Sequence, residues 1–264
     1  MKMNNQDLGS LANAKFVLEN PDFMGRVIET IGKPLESAMG KLPENYREKV
    51  DGAVQKALMG CFNVARVTMD LNDKEPKKGW HKFLATATGI VGGAFGFTGF
   101  IVELPVSTTI MMRSILAIAN SHGECLTDPC VSLECLQVLA LGGNSDNGGS
   151  NGNASRYFAR RYALAAEMKL ATQYLAGNTI IDETAPVIIR FIARIAAYFG
   201  VDVTTEAAAM AVPLVGAAGG GAINYLFTNQ FQKMADAHFT VRKLERKYGE
   251  DYIAGNYAKI NGER

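Results

Sequence analysis

The chain has 264 residues, 48% of them apolar and 20% charged, and 27 basic side chains against 26 acidic ones leave a net charge of +1. This is a globular composition with enough length for a sizeable core. The charge balance excludes a binder that works through a global basic field, so no nucleic acid is expected as a partner.

From Met1 to Phe23 there is no continuous apolar run of about seven or more residues, the least that a secretory signal needs. The protein is therefore expected in the cytoplasm, free or at the inner face of the membrane. Cys61, Cys125, Cys130 and Cys135 are then reduced thiols, and the last three, with His122, match none of the usual zinc spacings, so no metal is expected. Residues 7–42 carry short helical patterns cut by Pro21, Gly32, Pro34 and Gly40, which predicts a wrapping arm. Glu44 to Leu71 is cleaner. Val50, Val54, Ala57, Leu58, Cys61, Val64, Ala65 and Thr68 recur at three and four, the spacing of one helix packed on a core. Lys74, Lys77, Lys78 and Lys82 then surround Trp80, the only tryptophan.

Lys78 to Asn120 is expected to organise the rest. Phe83 to Val102 carries no charge, and Ala85, Gly89, Gly92, Gly96 and Gly99 step by four and three, which on a helix makes one stripe with almost no side chains. About twenty such residues match the thickness of a bilayer's hydrocarbon, so length permits a span. Glycine costs about 1 kcal/mol relative to alanine inside a helix, and close approach by a second helix is the natural compensation. Ala207 to Phe227, uncharged and with Gly216 and Gly220 one turn apart, offers that helix. Each glycine-rich helix is expected to give way to a more polar one. In the first unit the break falls at Glu103-Leu104-Pro105, which places Glu103 at the start of a helix carrying Arg113. In the second it falls before Thr228. The two glycine-rich apolar hairpins would form either a tightly packed core or a shallow membrane-inserting unit.

Between them, Leu126 to Leu141 is predicted as a short helix opened by Thr127, Asp128 and Pro129. Residues 142–153, GGNSDNGGSNGN, read as a flexible loop. Arg156 to Ala176 and Ile180 to Phe199 follow as helices, the second carrying Arg190 and Arg194, and Thr228 to Tyr248 ends at Gly249. No stretch alternates with period two, so the expected architecture is all-α, a single multi-helix domain over residues 1–264.

There is no G-x-S-x-G, no H-E-x-x-H and no phosphate loop, so no catalytic motif is recognisable and no cofactor is expected. Glu103 and Arg113 are the conspicuous ionisable residues, each interrupting an apolar run. A carboxylate from a neighbouring element or a lipid phosphate would serve as partner for Arg113. His81 stands beside Trp80 and His238 beside Phe239, places more typical of core or interface histidines than of catalysts. Trp80 with Lys77, Lys78 and Lys82, and the run Arg242, Lys243, Arg246 and Lys247, form basic flanks of the two apolar units. Such flanks suit an anionic membrane surface, and equally a solvated helix end beside Asp73, Glu75 and Glu245.

GIVGGAFGFTGFIVELPVSTTIMMRSILAIA, ECLTDPCVSLECLQVLALGG and PLVGAAGGGAINYLFTNQFQKMADAHFTVRKLERKYG together resemble the EcsC protein family, and ENPDFMGRVIETIGKPLE resembles its N-terminal region. That family is named for a product encoded beside a bacterial ABC transporter, and its members are described as cytoplasmic or membrane-associated. The resemblance implies family-like polar positions at His81, Glu103, Arg113, Ser114, Glu124, Arg161, His238, Arg242 and Glu245, with His122 and the Asn/Gly-rich loop as departures. It also implies a membrane-surface or lipid-associated accessory protein for envelope or transport processes, with anionic lipid or a transport-related protein as partner. The competing expectations are a peptidase-like hydrolase with a polar pocket between helices and a soluble interaction module.

Overall fold

The computed structural model describes residues 2–20, 44–70, 96–142, 155–178, 180–210 and 220–260. Among these residues there are eight helices and no strand, so the protein is all-α. The helices are α1 (Asn5–Glu19), α2 (Glu44–Asp70), α3 (Gly96–Ser121), α4 (Pro129–Leu141), α5 (Arg156–Gly177), α6 (Pro186–Met210), α7 (Gly220–Tyr248) and α8 (Glu250–Lys259). All eight contribute buried apolar side chains to one core.

The pivot is α4. Asp128 accepts a hydrogen bond from the Cys130 amide at 2.8 Å, and Pro129, whose missing N–H costs nothing in the first turn, starts the helix. Every side chain from Val131 to Leu141 is buried. A helix buried all round has no face to give to water, and α4 is accordingly packed against α2, α3, α5, α6 and α7. Around it, α2 approaches α3 closely at Gly60, where a Cβ would stand 3.2 Å from Thr109 Oγ1, and Cys61 Sγ donates to Thr108 O at 3.4 Å. Helices α5 and α6 form an antiparallel hairpin. Arg160 lies over the Tyr198 ring, Arg194 Nε donates to Glu167 Oε1 at 3.1 Å, and Tyr174 OH accepts from the Asp182 amide at 3.0 Å. The ends of the chain are tied together by Lys15 Nζ, which donates to the carbonyls of Tyr257 and Ile260, both at 2.7 Å, a cation on the exposed carbonyls that end α8.

Several boundaries differ from the periodicity. α3 runs unbroken through Glu103, Leu104 and Pro105, so Glu103 lies inside a helix and not at its start. Pro105 costs that helix one hydrogen bond. Burial of Leu104, Thr108, Met111 and Met112 on the same helix outweighs the loss, and Thr109 Oγ1 donates to Pro105 O at 2.6 Å. α7 likewise passes through Thr228, and α6 begins at Pro186, not Ile180, and continues through Gly200 to Met210. The residues from Ala207 to Phe227 are thus divided between the end of α6 and the start of α7 where both are described. Within the described residues the central place belongs to α4. Of the stretch expected to organise the fold, only the part from Gly96 is described. Lys77, Lys78, Trp80, His81, Lys82, Gly89, Gly92 and Gly216, with the expected contact between glycine-rich helices and the loop beyond Gly142, lie outside the described residues. Gly96 and Gly220 open α3 and α7. Among the described residues one helical stretch, Ile101–Ser121, is long and apolar enough to cross a membrane, and about a third of its most apolar window is buried.

Candidate functional site

His238, Arg242, Glu245 and Arg246 follow one another at four, three and one along α7, a spacing that lays them on one stripe of the helix. Two neighbours face that stripe: α4, which contributes Glu134, and the first turns of α5, which contribute Tyr157 and Arg161. The turn after α3 adds Glu124, reached through Gly123 at φ +79°, a backbone angle that favours glycine.

The resulting chain of contacts is almost entirely buried. Tyr157 OH lies 3.0 Å from His238 Nδ1, and His238 Nε2 lies 3.1 Å from Glu134 Oε2. Arg242 bridges two carboxylates, donating from Nη1 to Glu134 Oε1 at 2.5 Å and from Nε to Glu124 Oε1 at 3.0 Å. Arg246 donates to the same Glu124 oxygen and, at 2.8 Å, to the His122 carbonyl. Arg161 makes a two-pronged pair with Glu245, at 2.6 and 3.2 Å, and its guanidinium stands 5.4 Å from the centre of the Tyr157 ring.

The electrostatics assign the protons. Burial pushes the Glu134 carboxyl upward, but the ring N–H of His238 and the positive charge of Arg242 and Arg161 outweigh it and hold the group down at about 2. Burial drives His238 below its ordinary value; the Glu134 carboxylate opposes this, and Arg161 and Arg242 add to it. Burial raises the Tyr157 phenol. At neutral pH, then, Glu134 is an acceptor only and His238 is neutral. Nε2–H is turned toward the Glu134 carboxylate at 3.1 Å without the alignment of a hydrogen bond, and the remaining lone pair on Nδ1 accepts from the Tyr157 hydroxyl. Burial also pushes the Glu245 carboxyl up, against the hydrogen bond and charge of Arg161.

Of the nine family-like positions, this arrangement brings together Glu124, Arg161, His238, Arg242 and Glu245. Glu103, Arg113 and Ser114 lie upstream on α3, where burial raises the Glu103 carboxyl and Ser114 Oγ donates to Met111 O at 2.7 Å. His81 lies outside the described residues. Among the basic residues expected at a membrane surface, Arg242 is turned inward with 17% of its side chain exposed. Arg246 is paired with Glu124, and Lys247 Nζ donates to Asp7 Oδ2 at 2.6 Å, while Lys243 is exposed. Sequence reasoning missed Glu134 and Tyr157. Glu134 carried a readable signal, a lone carboxylate in the otherwise uncharged PCVSLECLQVLAL; Tyr157 carried none, because an aromatic residue opening a helix is ordinary.

The groove next to the network, of about 460 Å³, runs between α1 and α7 and is lined by Ser10, Asn13, Gln232, Lys233, Asp236 and Thr240 among others. None of the buried network's side chains lines it.

The model of the EcsC protein family matches residues 6–244, nearly the whole chain, and the protein belongs to that family. No curated protein and no solved structure matches it.

Proposed function

We propose that this EcsC family member is an accessory protein of the membrane surface that binds anionic lipid through the outward face of the α5–α6 hairpin. One observation carries the reading. Among the described residues, five of the ten large apolar side chains that remain exposed belong to this hairpin: Tyr162, Leu170, Ile180, Ile189 and Val201. Ile180, in the turn between the two helices, is 89% exposed, and Tyr162 69%. Lys169 and Arg190 are exposed among them, and Arg194, also exposed, is paired with Glu167. Apolar insertion beside basic attraction is what interfacial binding requires, each basic residue near the surface adding about 1 kcal/mol. Arg242, Arg246 and Lys247 support the reading less than their sequence pattern did, because their charge is already matched by Glu124, Glu134 and Asp7. A hydrolase gains no support from the buried network, whose charged groups are engaged with one another.

The test is flotation with phosphatidylglycerol and phosphatidylcholine vesicles at low and high salt. The protein should float with the anionic vesicles, less so at high salt, and Leu170→Asp combined with Ile189→Asp should lower the bound fraction about tenfold or more while helical content is kept. Absence of flotation with either vesicle, or flotation indifferent to that double change, would overturn the proposal.

A further inference from the structure

One further buried acid lies outside the network, where four helices meet. Asp202, on α6, is 5% exposed, and its Oδ2 has no hydrogen-bond partner. Against it stands Gly142, the residue that ends α4, so closely that a Cβ there would stand 3.1 Å from Asp202 Oδ2 and 2.6 Å from the Phe231 ring of α7. From α5 comes Arg160, itself 5% exposed, with Nη1 donating to the carbonyls of Ala140 and Leu141 at 3.0 and 2.9 Å. Arg160 thus closes the last turn of α4. Its guanidinium is the charge that acts on Asp202, since Gly142 and Phe231 carry none.

We propose that Asp202 is a protonation-sensitive latch that joins α6 to the end of α4, closed while its carboxyl is neutral and loosened when it ionises. A carboxylate at this point would be nearly cut off from solvent, with no hydrogen-bond donor on its Oδ2, and it would face the carbonyl end of α4, the negative pole of that helix. A neutral carboxyl has a much smaller desolvation cost and no net charge for the helix pole to repel. In accord with the geometry, burial pushes the group up to about 7, with Arg160 pulling the other way.

The sign of the effect follows. A folded-state value above the unfolded one, about 3.9, means that the native chain binds more protons, so this group's contribution to stability falls as pH rises from about 4 to 7. The test compares urea unfolding of the full chain with that of Asp202→Asn. The ratio of their unfolding constants, wild type over variant, should rise roughly tenfold per pH unit between about pH 5 and 6.5 and level off above about pH 7.5. Amide protection of Val138 to Leu141, corrected for intrinsic exchange, should fall over the same range in the wild type and not in the variant. A ratio independent of pH, or equal protection in both proteins, overturns the latch. If Asp202→Asn does not fold, infrared titration of wild-type protein carrying ¹³C aspartate carboxyls decides. A protonated aspartic band present at about pH 6 and absent at about pH 8.5 supports the latch, and no such band at the lower pH overturns it.

Discussion

Arg242 shows why a basic residue near a helix end is not automatically a surface charge. It lies between Glu124 and Glu134, and removing it would leave two buried carboxylates without their shared donor. Breaking a buried pair from one side costs about 3–5 kcal/mol, so Arg242→Ala should lower the urea midpoint by a corresponding amount, and a loss below about 1 kcal/mol would show that water solvates the site. The same variant would then report on folding and not on lipid headgroups. His238 gives the network its pH dependence. Its folded value is depressed, so the stability it contributes is present above about pH 6.5 and is lost as pH falls through the folded value; Glu134 adds a loss of the same sign at lower pH. Asp202 opposes this trend over part of the range. In the Asp202→Asn background the unfolding free energy from urea titration should therefore fall from about pH 7 to 5, at up to about 1.4 kcal/mol per pH unit for one proton, and a value flat over that range would refute a buried neutral His238.

At the scale of elements, the start of α5 depends on α1. Ser155 caps the helix in the ordinary way, its Oγ accepting from the Phe158 amide at 3.2 Å. Glu19, the last residue of α1, then accepts from Ser155 Oγ at 2.5 Å, from the amides of Arg156 and Tyr157 at 3.0 and 3.4 Å, and from Tyr257 OH at 3.1 Å. A carboxylate at a helix N-terminus is doubly favoured, by the free amides and by the dipole. Glu19→Ala should cost about 1–2 kcal/mol and raise amide exchange in the first turn of α5 while leaving α6 protected. Unchanged exchange there would mean that Ser155 suffices alone. Because Tyr157 belongs to that first turn, the cap from α1 also positions the hydroxyl that His238 accepts.

Over the whole molecule the polar and apolar features separate. Within the apolar core a small set of buried ionisable groups joins α4, α5 and α7, while half of the large apolar side chains left exposed among the described residues lie on the α5–α6 hairpin. The exposed apolar side chains of the hairpin are the basis of the lipid-surface proposal. The pairing of α5 with α6 across Glu167 and Arg194 holds the two outward faces side by side, so that vesicle binding would engage both helices together.

The helices of this chain were largely written in local order. Three-and-four spacing placed α2, Asp128 and Pro129 placed the start of α4, and Gly249, at φ +93°, ended α7 where the sequence stops its amphipathic pattern. These signals depend on contacts a few residues apart, which a sequence displays directly. The family was legible for the same reason, because its motifs are contiguous. Continuity of α3 through Pro105, and of α7 through Thr228, was decided by burial against other helices, which outweighs the local cost of proline. The placement of charges was tertiary too. Nothing in the run Arg242 to Lys247 distinguishes a residue facing solvent from one facing Glu134, more than a hundred positions away. The angle of a helix face toward its neighbours is set only when the helices pack, and that step turned an expected membrane-facing cation into the centre of a buried network.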